Sequence, residues 1–172
     1  KKYLLISEIS DFSKFNRQFD VSKSSTIFKK WKKDPTDFRI YHHLHDEASK
    51  TWTVVPSKEM IRKIKLLSER YAIGDFGCGQ AFLHEEFGNR VTSIDMVAVG
   101  PHVSVADLSD VSKIPNLQKP GGLDVIVFSL SLTTLSWPKY LKEANRCLSK
   151  EGLMYIAIPT DQLLKNRRLS NL

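Results

Sequence analysis

Residues 71–80, Tyr-Ala-Ile-Gly-Asp-Phe-Gly-Cys-Gly-Gln, join a short apolar run to two glycines in a Gly-x-Gly spacing. The apolar run predicts a buried parallel β-strand. The glycines let the backbone turn sharply and approach a bound molecule where a Cβ would collide. Residues 81–87 can form the helix that follows, with its first free N–H groups directed into the same crevice. Because glycine pairs are common in ordinary turns, the rest of the chain has to decide what this loop binds.

The residues around the glycines narrow the class of ligand. Phe82 occupies the position where the dinucleotide pattern Gly-x-Gly-x-x-Gly/Ala requires a small residue, which disfavours nicotinamide binding. No Gly-Lys-Ser/Thr follows the loop, so it lacks the pattern that cradles a triphosphate. Asp75, two residues before the first glycine, either contacts the polar end of a nucleoside-type ligand or caps the turn, and the residue alone favours neither interpretation.

The carboxyl-terminal two thirds of the chain alternate between strand and helix patterns. Helices are predicted from Pro56 to Leu67, at residues 81–87 and at residues 138–148. This alternation predicts an α/β fold with a doubly wound, mainly parallel sheet. The five predicted strands are 72–76, 91–95, 103–106, 123–130 and 153–158.

The positive charge of the chain is concentrated at the front. The net charge is +7, and residues 1–70 contain 16 Lys and Arg against 9 Asp and Glu, whereas residues 71–172 contain 10 of each. A short basic helix is predicted at residues 26–33, after a poorly packed lead-in at 1–25 that ends in a linker. We place a domain boundary at Pro35, which separates a basic extension or linker at 1–35 from the α/β domain at 36–172.

A basic run inside that helix surrounds one aromatic residue. Such a run is typical of a surface that contacts a phosphate backbone and stacks on a base, and the alternative is a solvated face beside a buried tryptophan. The candidate nucleic-acid-binding residues are Lys29, Lys30, Trp31, Lys32 and Lys33.

Two other features argue against metal binding and membrane insertion. The histidines near residue 42 do not have helical metal-ligand spacing, and the two cysteines are far apart, so no metal site is predicted. No apolar run approaches the ~20 residues that a membrane span requires.

Acidic residues are predicted at the ends of three neighbouring strands, namely Asp75, Asp95 and Asp107. Ligands of doubly wound sheets bind at the carboxyl ends of the strands, and an acid that closes the second strand can accept hydrogen bonds from both ribose hydroxyls of a nucleoside. Three acids without a basic cradle suit a cationic ligand that lacks phosphate. S-adenosylmethionine meets both conditions, although Asp is also common at strand ends as a turn residue, which would explain one or two of the three.

Several motifs of this sequence resemble the ribosomal RNA-processing protein 8 (nucleomethylin) family of class I S-adenosylmethionine-dependent methyltransferases. The resemblance covers about residues 40–159 and implies a Rossmann-like methyltransferase domain at 36–172. The motifs are Tyr-His-His-Leu-His-Asp-Glu-Ala-Ser-Lys-Thr-Trp at 41–52, Asp-Phe-Gly-Cys-Gly-Gln at 75–80, Ser-Ile-Asp-Met at 93–96, Val-Ala-Asp-Leu at 105–108, Val-Phe-Ser-Leu-Ser-Leu at 127–132 and Glu-Ala-Asn-Arg-Cys-Leu at 143–148.

The resemblance also implies a set of cofactor contacts, with Asp95 at the ribose, Asp107 and Leu108 at the adenine, and Ser129 at the sulfonium end. It further implies N1 methylation of an adenine in large-subunit ribosomal RNA, an RNA partner, and a nuclear or nucleolar location in a eukaryote or a cytoplasmic one otherwise. The candidate S-adenosylmethionine residues, with the loop residues included, are His42, Asp75, Gly77, Gly79, Asp95, Asp107, Leu108 and Ser129.

The sequence departs from the family pattern at positions that concern the acceptor. Ser129 replaces a frequent Cys, Gln80 replaces an acid, and Thr133-Thr134 replace Met-Gly. No catalytic residue is assigned, because adenine N1 already presents a lone pair at neutral pH and transfer depends mainly on positioning. Two alternatives stay open: a cofactor-binding RNA-binding or scaffold module without turnover, and a small-molecule methyltransferase.

The carboxyl end of the sequence differs from a full class I sheet, which adds two further strands after the fifth. Residues 160–172 fit only a helix, with an acid near the start and two arginines toward the end. We therefore expect a sheet that is truncated after the fifth strand, and a natural protein that continues past residue 172 and covers the exposed edge.

Overall fold

A computed structural model describes residues 15–159, in which five parallel strands form one sheet of order β3-β2-β1-β4-β5. β1 lies at the centre, where Ile73 pairs with Val91 of β2 on one side and Val125 of β4 on the other. The strand order reverses between β1 and β4, which creates a switch point at their carboxyl ends. The prediction of a Rossmann-like α/β fold is confirmed. The strands are β1 (Ile73–Phe76), β2 (Val91–Asp95), β3 (Val103–Val105), β4 (Leu123–Ser129) and β5 (Leu148–Ala157).

Helices cover both faces of the sheet. On one face, Tyr140 and Ala144 of the last helix pack against Phe76 and Phe128. On the other face, Met60 and its neighbours pack against Val91, Val125 and Val127. The strands are almost continuously apolar because both of their faces are buried. The helices are α1 (Ser24–Lys33), α2 (Thr36–Ser49), α3 (Pro56–Ile64), α4 (Phe82–Phe87) and α5 (Trp137–Cys147), and residues 15–20 are also helical.

The expectation of a poorly packed lead-in is wrong for residues 15–25. Phe19 is only 3% exposed and packs with Trp31, Phe38 and Met96, the residue that follows β2. Helix α1 begins at Ser24, inside the segment expected to be a linker. The front of the chain is therefore fastened to the carboxyl edge of the sheet by an aromatic cluster that includes residues on both sides of Pro35.

The start of the fifth strand also differs from the prediction. β5 begins at Leu148 rather than at Leu153, so Lys150-Glu151-Gly152 lies within the strand and not in a turn. The pairing register with β4 shifts between Leu123 and Val125, which accommodates these polar residues in an irregular ladder.

Two expectations lie outside the described residues: the carboxyl-terminal helix at 160–172 and the first residues of the lead-in. Between residues 15 and 159, none of the helices is long and apolar enough to cross a membrane.

Candidate functional site: a cleft at the carboxyl ends of the strands

A cleft of about 610 Å³ opens where β1, β2 and β4 end. Its walls come from the glycine loop, from the buried face of α2, and from the loop that follows β4. Helix α1 also contributes Ile27 and Trp31 to the lining. This is the place in the fold where doubly wound sheets bind their ligands.

The glycine loop is held by strand β2 and requires glycine at two positions. The N–H groups of Gly77 and Cys78 donate to the Ile94 carbonyl at 2.8 and 3.0 Å. Gly77 has φ +82°, and a Cβ there would lie 2.3 Å from Cβ of Ser131. Gly79 has φ +52°, and a Cβ there would lie 2.9 Å from Cε1 of His42. Because both positions combine a left-handed backbone with close neighbours, side chains are excluded and the loop can pack against α2 and the β4–α5 loop.

Asp95, the last residue of β2, faces this loop with both of its oxygens. Oδ2 accepts the Gly79 N–H at 2.8 Å, and Oδ1 accepts the Met96 N–H at 2.6 Å. The residue is 7% exposed, and burial raises the pKa of its carboxyl group to about 6 although the two backbone hydrogen bonds oppose the rise. Each carboxylate oxygen has a second lone pair, so Asp95 can still accept hydrogen bonds from a ligand.

Asp75, the third residue of β1, lies on the same cleft and is 2% exposed. Burial, followed by the negative charge of Asp95, raises the pKa of its carboxyl group to about 7, and no hydrogen bond from residues 15–159 counteracts the rise. Two buried acids without a cationic partner make the cleft favourable for a positively charged ligand. This charge pattern fits the sulfonium of S-adenosylmethionine better than a phosphate.

The two histidines on this face of α2 are held in different ways. The ring of His42 packs against Gly79, and burial lowers its pKa to about 4, with a smaller contribution from His45. His45 is partly buried 3.6 Å from Asp46, and burial is the main cause of its lowered pKa. His42 is therefore a neutral ring at physiological pH. Among residues 15–159, no group of three or more metal-ligating side chains is arranged to hold a metal ion.

Seven of the eight candidate cofactor residues line this one cleft, and Asp107 does not. Leu108 is buried in the wall, and Ser129 ends β4. Asp107 lies two residues after β3, where Oδ1 accepts the Ser109 N–H at 3.0 Å and Oδ2 accepts the Ser24 hydroxyl at 2.9 Å. The carboxyl group of Asp107 is thus already connected to helix α1.

The basic candidates on α1 divide into an exposed group and one buried residue. Trp31 is 7% exposed, and its ring packs edge to face against Phe19 at 5.4 Å and Phe38 at 5.1 Å between ring centroids. The expectation that Trp31 stacks on a base is therefore corrected, since the ring belongs to the aromatic cluster. The four lysines at 29, 30, 32 and 33 are exposed, and Lys30 forms an ion pair with Asp37.

Sequence reasoning did not find three residues that shape the cleft. The Ser131 hydroxyl donates to the Phe76 carbonyl at 2.5 Å and joins the loop after β4 to the end of β1. Leu130 has φ +61°, which is uncommon for a side chain of its size and occurs directly after β4. Ser24 reaches Asp107 across 83 residues of sequence. Contacts this distant leave no local pattern from which to predict them.

The profile of a protein family described as "Hypothetical methyltransferase" matches residues 6–170. The chain belongs to this methyltransferase family. The match includes the strands, the glycine loop and helix α1, so the cleft described above is the site that the family fold provides for a methyl donor.

Curated relatives of this family member extend the comparison to named proteins. Ribosomal RNA-processing protein 8 of Arabidopsis thaliana is 30% identical over 146 residues, which cover 85% of this chain and 49% of that protein. The protein of the same name in Caenorhabditis briggsae is 32% identical over 155 residues, with 89% and 45% covered. The 25S rRNA (adenine(645)-N(1))-methyltransferase of Schizosaccharomyces pombe is 29% identical over 160 residues, with 86% and 49% covered. The resemblance to the ribosomal RNA-processing protein 8 family is confirmed, and the chain spans about half the length of these relatives.

Proposed function

We propose that this protein is an S-adenosylmethionine-dependent RNA methyltransferase that methylates N1 of an adenine in large-subunit ribosomal RNA. The single observation that carries the cofactor assignment is the pair of buried acids, Asp75 and Asp95, beside a glycine loop at the switch point of the sheet. The acceptor assignment is supported by kinship with the fission yeast relative, whose name specifies an adenine N1. A role in ribosomal RNA processing and a nuclear or nucleolar location in a eukaryotic cell follow from the same kinship.

Several residues of the cleft can hold the cofactor. Asp95 would accept the ribose hydroxyls on its free lone pairs, while Leu108 would pack against the adenine. Asp75 would offset the positive charge of the sulfonium end, and Ser129 lies at the end of β4 near the loop with the left-handed Leu130. When bound, S-adenosylmethionine supplies an electrophilic methyl group.

The protein's own contribution to catalysis would be position and dryness. The neutral ring of His42 closes one side of the loop, and the aromatic cluster of α1 closes another, which limits the access of water to the reacting groups. Adenine N1 carries a lone pair at neutral pH, so transfer requires alignment with the methyl group rather than a strong general base.

The exposed basic face of α1 would contact the RNA backbone. Lys29, Lys32 and Lys33 are solvent-exposed, whereas Lys30 is partly neutralised by its ion pair with Asp37. Changing the three free lysines to Gln should weaken RNA binding and reduce its dependence on salt, because fewer counterions are released. Cofactor affinity should stay unchanged. An unaltered salt slope would show that this face is only solvated and that RNA binds elsewhere.

Transfer of a radiolabelled methyl group from S-adenosylmethionine tests the proposed function. Large-subunit ribosomal RNA that lacks the modification would be incubated with the wild-type chain, with Asp95→Ala, and with Asp110→Ala as a control for an exposed acid. Digestion to nucleosides should show label in N1-methyladenosine for the wild type and the control, and very little for Asp95→Ala.

The same experiment separates the alternatives. Cofactor binding without transfer to any RNA would favour the scaffold hypothesis, and transfer only to small molecules would favour the third hypothesis. Failure of the wild type to bind S-adenosylmethionine or S-adenosylhomocysteine would refute the cofactor assignment itself.

A further inference from the structure

Ser24, the first residue of α1, is a buried junction between three distant parts of the chain. It is 2% exposed, its N–H donates to the Ser136 hydroxyl at 3.0 Å, and its own hydroxyl donates to Oδ2 of Asp107 at 2.9 Å. One short side chain thus links the helix at the front of the chain with the β4–α5 loop and with the residue that follows β3.

Further hydrogen bonds around Ser24 fix the same junction. The Leu135 N–H donates to the Ser22 carbonyl at 3.0 Å. The hydroxyls of Thr134 and Tyr140 are 2.8 Å apart, and the Tyr140 hydroxyl also forms a hydrogen bond with Ser24. The hydroxyl of Ser24 therefore belongs to a chain of polar groups, and its orientation toward Asp107 is determined from both ends.

Both oxygens of Asp107 are restrained in this arrangement. Oδ1 is held by the N–H of Ser109, within its own loop, and Oδ2 is held by Ser24, which comes from another element. Each oxygen keeps a second lone pair that can accept a further hydrogen bond. The neighbouring Leu108 is part of the cleft wall, so a small ligand against Leu108 would lie beside this carboxyl group.

We infer that Ser24 is a positioning residue that sets the nucleobase preference of the cofactor site. It holds the Asp107 carboxylate so that a free lone pair faces the exocyclic amine of the cofactor's adenine. This inference rests on the proposed function, because it requires an adenosyl cofactor in the cleft. It assigns helix α1 to the cofactor site and not only to the basic surface.

The competing explanation is that Ser24 only fastens α1 to the sheet. Loss of a fastening would loosen the wall formed by Ile27 and Trp31 and would weaken every ligand to the same extent. Loss of positioning would weaken only a ligand that donates from its exocyclic amine. A purine with an oxygen in place of that amine separates the two explanations, since a site built to accept a hydrogen bond discriminates against a ligand without the donor.

The experiment measures the affinities of S-adenosylhomocysteine and S-inosylhomocysteine by calorimetry for four proteins. The wild type is compared with Ser24→Ala, with Ser24→Thr, which retains the hydroxyl, and with Ser112→Ala as a matched control. Ser112 also donates its hydroxyl to a carboxylate, Oδ1 of Asp110 at 2.6 Å, but on the exposed surface. Thermal unfolding of each variant establishes that it is folded.

The wild type should prefer the adenosyl ligand. Ser24→Ala should weaken the adenosyl ligand by roughly tenfold and the inosyl ligand by less than about twofold, so that the preference shrinks. Ser24→Thr should restore most of the preference, and Ser112→Ala should leave it unchanged. If Ser24→Ala does not fold, Ser24→Cys is the replacement, because it is similar in shape but a weak donor.

Two results would overturn the inference: an equal loss of affinity for both ligands, or no loss for either. Both leave the proposed function standing, since the wild type still binds the adenosyl ligand. A wild type that binds neither ligand would instead remove the proposed cofactor, and the inference with it.

Discussion

Replacing Asp75 by Asn should stabilise the protein in the absence of ligand, and the gain should increase with pH. Asp75 is 2% exposed, and burial raises the pKa of its carboxyl group from 3.8 to about 7. Between these two values the folded state holds a proton that the unfolded state has released, so stability is lost as the pH rises through this range. Asn has nearly the same shape and cannot ionise, which removes this loss.

The size of the effect follows from the two pKa values. A difference of about 3 units corresponds to about 4 kcal/mol, since each unit is worth about 1.36 kcal/mol. The loss from ionisation is about 2 kcal/mol at pH 5.5 and reaches about 4 kcal/mol by pH 8. The advantage of Asp75→Asn over the wild type should therefore grow by about 2 kcal/mol between these pH values, whatever the intrinsic difference between an amide and a carboxylic acid at this position.

Urea unfolding at pH 5.5, 6.5 and 8.0 measures the free energy of unfolding for both proteins. Asp110→Asn is the control, because the carboxyl group of Asp110 is exposed and its pKa is lowered by hydrogen bonds from Ser112, so no comparable gain is expected. Cofactor affinity should fall in Asp75→Asn, since the stabilised site has lost a negative charge that serves the ligand. An advantage that stays constant with pH, or a variant less stable at pH 8 than at pH 5.5 relative to the wild type, would refute the reasoning.

Three further predictions concern the loop, the aromatic cluster and the charge of the cleft. Gly79→Ala should destabilise the protein by about 1–2 kcal/mol more than Gly88→Ala, because both positions have a positive φ but only Gly79 faces a neighbour, His42; equal losses in urea unfolding would remove the steric argument. Trp31→Ala should cost about 3–5 kcal/mol, since it leaves a cavity in the aromatic cluster, and a surface-like loss below about 0.5 kcal/mol would contradict its burial. The preference for S-adenosylmethionine over S-adenosylhomocysteine should rise from pH 5 to pH 7 as the two buried carboxyl groups ionise, and a preference that calorimetry finds independent of pH would show that these groups do not serve the sulfonium.

The sheet could be predicted from the sequence because its strands are apolar on both faces. Strand β2 was predicted with the same ends that the structure shows, Val91 and Asp95. The start of β5 was missed because Lys150-Glu151-Gly152 has the composition of a turn. In the structure the pairing with β4 overrides that local preference, and a register shift accommodates the polar residues.

The candidate site was less evenly readable. The loop, Asp75 and Asp95 carry local signals of residue type and position, and the structure places them on one cleft. Trp31 also had a signal that its basic neighbours obscured, because Ser24, Ile27 and Trp31 form one helical face and all three are buried. The hydrogen bond between Ser24 and Asp107 had none, since it depends on the packing of α1 across the finished sheet.

The central position of β1 has a consequence for how the chain is assembled during synthesis. β1 can pair with β2 soon after both have left the ribosome, but the other edge of β1 waits for β4, and Ala72 reaches Asp124 across 52 residues. Until then, an apolar strand has an open edge, and such edges pair readily with other chains. A nascent chain that stalled between residues 96 and 122 would therefore hold the glycine loop next to an unpaired strand. In this fold the ligand site and the segment most exposed to misassembly are completed by the same event, the docking of β4.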